Sequence, residues 1–193
     1  MILATELRQG MAIRFEGQVF KILEAEAKAG AAKMTGVVKT KLINVRNGHV
    51  VEPHFRPGER LEELELERRM MEFLYTEGDV CTFMRPDTFE QIEIPGAVIG
   101  LAAKFLEPGM ELPVNLFEGE PISIIFPDVV DVRVATTTPA SHAPQDNAGK
   151  EAMLENGLEV RVPLFVAPGD MVRVDSKTGR YVERARPAHR SSG

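Results

Sequence analysis

The sequence predicts an all-β protein built from small barrels or sandwiches, and three observations lead to that prediction. Short runs of alternating apolar and polar residues recur from one end of the 193-residue chain to the other. Turn-forming residues separate these runs, and periodicity typical of helices is scarce. A chain of this length, 44% hydrophobic and 27% charged, can bury one good core or divide into two or three small barrels.

The first third predicts a hairpin, a long basic loop and a return strand. Residues 14–20 place Gly17 between two short apolar runs, which is typical of a hairpin turn. A loop rich in alanine, glycine and lysine follows, and residues 37–45 resume as a strand. Asn47-Gly48 is a pair that type I′ turns favour, so the next strand is expected at residues 50–55.

The middle third predicts several strands and one short helix. Residues 61–69 are good helix formers, yet their leucines and glutamates alternate at strand period, and we favour a strand. A hairpin follows that turns at residues 77–79, and residues 89–94 form another strand. Residues 97–106 are the predicted helix, because Pro-Gly pairs bound them on both sides. Two further strands flank Glu118-Gly119.

The last third restarts the strand pattern. A strand is expected at residues 131–135, and residues 136–150 form a polar loop without apolar periodicity. Further strands are expected at residues 158–162, 171–175 and 180–182.

A weak internal echo connects the middle and last thirds. Phe73-Leu74-Tyr75 and Gly78-Asp79 correspond in order to Leu164-Phe165-Val166 and Gly169-Asp170. This echo predicts two barrels of one kind after a first barrel of another kind.

Charge is unevenly distributed along the chain. The formal net charge is −6, which by itself argues against a phosphate-bearing partner. From Ala27 to Val51 there is no acidic residue, and the five cations there leave −11 on the remainder of the chain: Lys28, Lys33, Lys39, Lys41 and Arg46. A phosphate-binding loop and a merely solvated chance asymmetry both fit this distribution.

Nothing in the sequence predicts an enzyme or a metal centre. The four histidines, His49, His54, His142 and His189, form neither a helical i, i+4 pair nor a cluster with cysteine. The single Cys81 excludes an intrachain disulfide and indicates a strand position in a reducing, cytoplasmic compartment. No window approaches the roughly 18 apolar residues of a membrane-spanning helix. We therefore expect no catalytic residue, no cofactor and no metal.

Several separate motifs occur in one order along residues 3–184. The last third contains Val162-Pro163-Leu164-Phe165-Val166, Gly169-Asp170 and Thr178-Gly179-Arg180-Tyr181. The middle third contains Phe73-Leu74-Tyr75 and Thr88-Phe89-Glu90-Gln91, and the first third contains Lys41-Leu42 and Asn47-Gly48. Together these motifs resemble the bacterial elongation factor P family.

The resemblance implies three barrels in a row. They are an SH3-like domain at residues 1–64 and two OB-fold domains at residues 65–128 and 129–186, followed by a disordered tail at residues 187–193. It implies a translation elongation factor that binds the ribosome between the P and E sites, beside peptidyl-tRNA. There the protein would promote peptide-bond formation at stalled polyproline sequences by positioning the CCA end of the tRNA. The E-site mRNA codon and a lysine-modifying enzyme are further implied partners, and we expect a monomer without membrane contact.

The family carries a lysine or arginine at the tip of its first-domain hairpin, aimed at the peptidyl-transferase centre and often lengthened by modification. Eight residues before Lys41, Lys33 takes that place. A flexible primary amine on a loop of small residues can hold the CCA end without covalent chemistry. For Tyr181, core packing is the alternative to RNA contact. The residues expected to bind RNA are Lys28, Gly30, Lys33, Lys39, Lys41, Asp146, Asn147, Tyr181 and Arg184.

Two loops depart from the family pattern. The family's tip reads Pro-Gly-Lys-Gly, whereas residues 28–34 have two extra residues before Lys33, no proline and a methionine after it. An unmodified lysine on a longer loop would compensate for reach, so modification is left open. The family's Gly-Asp-Thr loop, linked to reading the E-site codon, is replaced by residues 143–148, where Asp146-Asn147 would stand in for Asp-Thr.

Two other functions compete with this interpretation. An elongation factor P-like paralogue with altered stall specificity would account for both loop departures. A general OB-fold RNA-binding protein would need aromatic stacking platforms. The chain has no Trp and only two Tyr, and its phenylalanines fall mostly in core-like alternation, which disfavours that function.

Overall fold

A computed structural model describes residues 1–28, 36–139 and 149–185 of the chain. Within these residues the chain forms three antiparallel sheets, one from each third of the sequence. The prediction of an all-β protein is confirmed. No helix in the described part is both long and apolar enough to cross a membrane.

The first sheet is built from the N-terminal 63 residues. Its strands are β1 (Ile2–Leu3), β2 (Ala12–Phe15), β3 (Gln18–Lys28), β4 (Val37–Asn44), β5 (Val50–Val51), β6 (His54–Phe55) and β7 (Arg60–Glu63), and a 3-10 turn (Ala4–Glu6) follows β1. The order is β1-β7-β2-β3-β4-β5, with β6 paired to β4. Alternate residues point inward, as the two-residue period of a strand requires. Ile13, Ile22 and Leu42 are completely buried.

The two turns predicted in this sheet have different outcomes. The turn between β2 and β3 is confirmed, with Glu16 and Gly17 both at positive φ. The type I′ turn at Asn47-Gly48 is wrong, because both central residues of such a turn need a positive φ and among the described residues of this segment only Gly48 has one. The Gly48 N–H instead donates to the Asn44 carbonyl at 2.9 Å, which closes a wider turn.

The second sheet follows a short break in the chain. Its strands are β8 (Glu67–Glu77), β9 (Val80–Met84), β10 (Gln91–Pro95), β11 (Glu111–Phe117) and β12 (Glu120–Ile124), in the order β10-β9-β8-β11-β12. The strand favoured at residues 61–69 is confirmed, although residues 64–66 divide it between β7 and β8. Phe73 and Phe83 pack in the core with ring centres 5.4 Å apart.

The single helix predicted at residues 97–106 is wrong in form. One α-helical turn, α1 (Gly96–Ile99), is followed by a 3-10 segment, Gly100–Phe105. The two are separated because Gly100 has a φ of +82°, which is outside the right-handed helical region. Glycine adopts that conformation without a steric penalty.

The third sheet comes from the last third of the chain. Its strands are β13 (Val129–Thr137), β14 (Gly149–Leu154), β15 (Glu159–Pro163), β16 (Met171–Asp175) and β17 (Tyr181–Arg184), in the order β15-β14-β13-β16-β17. Both β13 and β14 reach into the polar loop predicted at residues 136–150, and residues 140–148 of that loop lie outside the described part. Phe105 and Leu154 belong to the core of this sheet.

The second and third sheets have the same strand order, as the expectation of two barrels of one kind requires. The residue correspondence read from the echo is wrong, however. Phe73-Leu74-Tyr75 lies within β8, whereas Leu164 and Phe165 lie in a turn after β15 and are exposed. Identical order in sequence therefore did not mean identical position in the barrel.

The described residues divide into two compact units. The first comprises Met1–Gly100 and Glu107–Ile125, and so contains the first two sheets. The second comprises Leu101–Leu106 and the chain from Phe126 onward, with the third sheet. The boundaries expected at residues 1–64, 65–128 and 129–186 stay a prediction, and the tail expected at residues 187–193 lies outside the described residues.

Candidate nucleic-acid interface

The hairpin of β3 and β4 is the element that leads to the predicted tip. The two strands stay paired as far as Lys28, which lies opposite Val37. The basic loop was expected to begin at Ala27, which is wrong, because β3 continues through Ala27 and Lys28. The inward face is anchored, since Val38 and Thr40 are buried and Ala25 packs against the first core. Residues 29–36 connect the strands, and Gly30 and Lys33 of this connection lie outside the described residues.

The outward face of this hairpin carries both signs of charge. Glu24 lies opposite Lys41 and Glu26 lies opposite Lys39 in the strand register. The Nζ atom of Lys28 is 3.6 Å from a carboxylate oxygen of Glu26. Opposite charges directly across two strands attract each other by about 0.2–1 kcal/mol. Three lysines and two glutamates thus leave a net charge of +1 on this face.

The fifth cation of the basic segment has another role. Arg46 lies beyond the end of β4, and its Nε donates to Oε1 of Glu120 in the second sheet at 2.8 Å. This hydrogen bond and the charge of the Glu120 carboxylate raise the pKa of Arg46. The five cations counted along the sequence therefore do not form one cationic surface. Each of the four described cations has a glutamate of β3 or β12 opposite it or beside it.

The third sheet positions two more of the predicted residues. The Arg184 guanidinium carbon lies 5.1 Å from the centre of the Phe165 ring, within the range of a cation–π interaction. The same guanidinium is 3.9 Å from a carboxylate oxygen of Asp170. Tyr181 is partly buried and packs against the third core. Packing accounts for the burial of Tyr181, and its contact with RNA stays a prediction.

Phe165 is a candidate that sequence reasoning missed. Its side chain is 61% exposed, although the phenylalanines were expected mostly in the core. The local signal is Pro163, which ends β15 and cannot continue a hydrogen-bonded ladder. Residues just after such a proline leave the strand and lose its inward alternation. Asp146 and Asn147, predicted near the E-site codon, lie outside the described residues.

The described residues contain no group of histidine, cysteine, aspartate and glutamate side chains that could hold a metal ion. Cys81 is 1% exposed, and its Sγ lies 3.5 Å from the hydroxyl of Thr76. Its contacts are those of a core strand residue, in agreement with the strand position predicted for it.

Comparison with known proteins assigns each third of the chain to one family. Residues 3–61 match the model "Elongation factor P (EF-P) KOW-like domain", residues 66–124 match "Elongation factor P (EF-P) OB domain", and residues 130–184 match "Elongation factor P, C-terminal". The chain belongs to the elongation factor P family. It is accordingly a translation elongation factor and not an enzyme, with an SH3-like first domain followed by OB-fold domains.

Full-length relatives agree with this assignment. The chain is 37% identical over 186 residues to Elongation factor P of Pelotomaculum thermopropionicum, covering 95% of this chain and 100% of that protein. It is 39% identical over 187 residues to Elongation factor P of Moorella thermoacetica, covering 96% of this chain and 100% of that protein. A solved structure of Eukaryotic translation initiation factor 5A from Methanococcus jannaschii aligns with 64% of this chain and 92% of that chain, at a TM-score of 0.44 and 20% identity.

Proposed function

We propose that this member of the elongation factor P family binds the ribosome beside peptidyl-tRNA, between the P and E sites, and promotes peptide-bond formation at stalled polyproline sequences. The observation that carries the proposal is the β3–β4 hairpin, in a chain matched by all three family models. Lys28 follows the completely buried Ile22 by six positions along β3. At roughly 3.3 Å per strand residue they correspond to about 20 Å of chain, and the connection with Lys33 follows.

The chemistry of the proposal is positioning. Lys33 would supply a flexible primary amine that contacts phosphate or ribose groups and holds the CCA end in a reactive geometry. No covalent step by the protein is needed, because holding reactants in the right geometry can by itself remove a large part of a barrier. The E-site mRNA codon would contact the loop that contains Asp146 and Asn147, and Tyr181 and Arg184 would lie near the tRNA.

The stem lysines would have a secondary role. Lys39 and Lys41 make no ion pair within 4.0 Å among the described residues, so their ammonium groups can bind phosphate. Replacing one phosphate-binding lysine by a neutral residue lowers the dependence of RNA binding on salt concentration by about one unit of the log–log slope. Because Glu24 and Glu26 lie across from these lysines, the stem alone would bind RNA weakly and the tip would decide where the hairpin binds.

The decisive experiment is synthesis of a proline-run reporter by purified ribosomes. Wild-type protein is expected to stimulate synthesis. Lys33→Ala is expected to lower that stimulation by a factor of about ten or more, and Lys33→Arg is expected to keep part of it. Lys104→Ala is the matched control, because Lys104 is exposed in the 3-10 segment after α1. Failure of the wild type to stimulate would reject the function, and full activity of Lys33→Ala would reject the role of Lys33.

The same assay separates the competing functions. The missing proline and the two extra residues before Lys33 favour, as second candidate, a paralogue with altered stall specificity. That paralogue would stimulate other stall sequences more than proline runs. A general single-strand RNA-binding protein would bind unstructured RNA at physiological salt without any dependence on Lys33. Strong binding of that kind would count against the proposal.

Several finer points belong to the proposal. A lysine-modifying enzyme would act on Lys33, and the intact mass of natively produced protein tests this, since an unshifted mass excludes modification. We further propose a cytoplasmic monomer with domain boundaries at residues 64, 128 and 186. Limited proteolysis with mass analysis tests those boundaries, because cleavage is expected where few contacts cross the chain.

A further inference from the structure

The base of the β3–β4 hairpin is attached to the second sheet and to α1 within one compact unit. The Nζ atom of Lys21, in β3, donates a hydrogen bond to the backbone carbonyl of Val98 in α1 at 2.8 Å. Gly48, in the turn after β4, lies so close to α1 that a Cβ atom there would be 3.6 Å from the Cβ of Ala97. One end of the hairpin base is therefore hydrogen-bonded to this helical turn, and the other end lies beside it.

Two further contacts lie beside this attachment and are weaker. The side chain of Arg46, paired with Glu120, is 77% exposed, so salt screens this ion pair. The Arg14 guanidinium lies 5.6 Å from the centre of the Phe117 ring. A cavity of about 210 Å³ is lined by Arg14, Arg46 and Phe117, among others. The side chains that make these two contacts are therefore not closely packed.

Lys21 differs from these arginines because it is withdrawn from water. Burial lowers the pKa of its ammonium group, as expected for a cation in a poorly solvated place. Its hydrogen-bond partner belongs to Val98, whose side chain is 1% exposed. A charged donor to a buried carbonyl makes a stronger hydrogen bond than a neutral one, and the carbonyl is left without this partner when the donor is removed.

Because Ala25 and Val38 anchor the hairpin in the first core, the hairpin moves with the first sheet, and a small rotation of that sheet against α1 becomes a large displacement at the end of the hairpin. Lys28 follows Lys21 by seven positions along β3, which corresponds to about 23 Å at roughly 3.3 Å per residue. A rotation of about 5° at the base would move the end by about 2 Å, and a misplacement of about 1 Å can cost roughly a hundredfold in rate.

We infer that Lys21 is a positioning residue: its hydrogen bond to the Val98 carbonyl fixes the β3–β4 hairpin against α1 and thereby aims the connection that contains Lys33. The effect on translation rests on the proposed function. The effect on hairpin rigidity does not, and it is measured separately.

The first test measures rigidity without ribosomes. Spin labels at Lys28→Cys and Glu93→Cys report the distance between the hairpin and the second sheet, and the native Cys81 is shielded from the label by its burial. With Lys21→Met the distance distribution is expected to broaden at least about twofold, because the donor is removed while the aliphatic stem remains. With Lys104→Met it is expected to stay unchanged. An unchanged distribution for Lys21→Met overturns the inference, whether or not the protein acts in translation.

The second test separates positioning from binding. For Lys21→Met the maximal stimulation at saturating factor is expected to fall roughly tenfold, while the half-saturating concentration stays within about twofold of wild type. A purely structural defect would lower the fraction of folded protein and shift the half-saturating concentration instead. If Lys21→Met does not fold, as judged by circular dichroism, Lys21→Leu takes its place, because it also removes the donor, and the same fall in maximal stimulation is expected.

The third test is rescue by a covalent lock. Cysteines at Gly48→Cys and Ala97→Cys would have Cβ atoms 3.6 Å apart, a separation suited to a disulfide. Because Gly48 has a φ of +73°, a cysteine there is strained, and the reduced double variant is the control for that strain. When oxidised, this lock is expected to restore the stimulation of Lys21→Met, and reduction is expected to remove the rescue. An oxidised lock that abolishes the stimulation of an otherwise wild-type protein would show that the junction must move, and would overturn the inference.

Discussion

The second and third sheets have the same backbone plan but different connections. In each sheet the register between the first and second strands shifts once. The shift comes directly after Phe73 in β8 of the second sheet and after Val134 in β13 of the third sheet. At that residue the strand also exchanges backbone hydrogen bonds with a Pro-Gly turn. Phe73 bonds to Gly109 and Met110, and Val134 bonds to Gly169 and Asp170. The structural counterpart of Phe73 is therefore Val134.

The connections between corresponding strands differ in length and in the elements they contain. Between its third and fourth strands the second sheet inserts α1 and the 3-10 segment, whereas the third sheet has a turn that exposes Phe165. Between the first and second strands, the second sheet turns at Gly78, whereas in the third sheet the first strand ends at Thr137 and the second begins at Gly149. The bulge and the Pro-Gly turn thus define the barrel, while the connections vary because they lie outside the ladder.

The largest expected change in stability tests which residues of the two sheets are equivalent. The strand register pairs Phe73 with Val134, whereas the sequence echo aligns the segment of Phe73 with the segment that contains Phe165. Phe73 is 3% exposed and Phe165 is 61% exposed. Phe73→Ala should lower the free energy of unfolding by about 3–5 kcal/mol, because it leaves a cavity in the core. Phe165→Ala should change it by less than about 1 kcal/mol, as is usual for surface substitutions. Urea unfolding measures both, and equal effects would show that the echo, rather than the strand register, identifies equivalent residues.

The next largest effect tests whether the two Pro-Gly turns are equivalent. Gly109 and Gly169 both have a φ of +90°, and a Cβ at either position would meet nothing within 4 Å. Alanine at either position therefore costs only backbone strain, which we expect to be about 1–2 kcal/mol and the same for both. Thermal or urea unfolding of the two variants checks this. A difference of more than about 1 kcal/mol between them would break the equivalence.

A smaller and opposite effect is expected at the turn between the second and third strands. The third sheet has Gly157 there, with a φ of +83°, whereas the second sheet has Phe89 with a φ of +59°. Phe89 is 71% exposed, so little packing offsets the steric cost of this conformation. Phe89→Gly should therefore stabilise the protein by about 0.5–1 kcal/mol, as urea unfolding would measure. Leu74→Gly in β8 serves as the control and should destabilise it, since glycine is unfavourable within a strand.

The smallest effect is a pH dependence that comes from the turn between the fourth and fifth strands, and we expect it in the third sheet. In the turn between its fourth and fifth strands, Oδ1 of Asp175 accepts the backbone N–H groups of Thr178 and Lys177 at 2.9 and 2.8 Å. These two hydrogen bonds lower the pKa of Asp175 below its ordinary value of 3.8. The corresponding turn of the second sheet, at Glu118-Gly119, is a two-residue connection between β11 and β12.

A carboxyl whose pKa is lower in the folded protein contributes stability that is complete above pH 3.8 and is lost as the pH falls through the lower, folded value. Asp175→Asn keeps an acceptor but cannot titrate. The difference in unfolding free energy between wild type and this variant should therefore be constant near neutral pH and shrink in acid. Urea unfolding at a series of pH values measures it, and a difference that grows in acid would contradict the assignment.

The candidate site shows how far sequence reasoning reaches. Lys28, Lys39 and Lys41 were identified as basic from their positions in the chain, and the structure places all three on one outward face. Sequence could not show that Glu24 and Glu26 lie opposite two of them, because β3 and β4 meet through a register that local composition does not determine. The same limit hid the approach of Phe165 to Arg184, which are 19 residues apart in the chain.

By itself, the sequence determined the features that depend on neighbours a few residues apart. The return strand at residues 37–45, the turn at Gly17 and the choice of strand over helix at residues 61–69 were all predicted correctly, because side-chain period and glycine conformation are local properties. The family motifs were also local, and they identified the family.

Only the tertiary structure decided how these elements meet. It divided the predicted helix at Gly100, assigned Leu101 and Phe105 to the third core, and showed Val134 to be the counterpart of Phe73. It also joined the basic hairpin to α1 through Lys21 and Val98, 77 residues apart. Such contacts depend on strand register and close packing between distant segments, and no short stretch of sequence contains both partners.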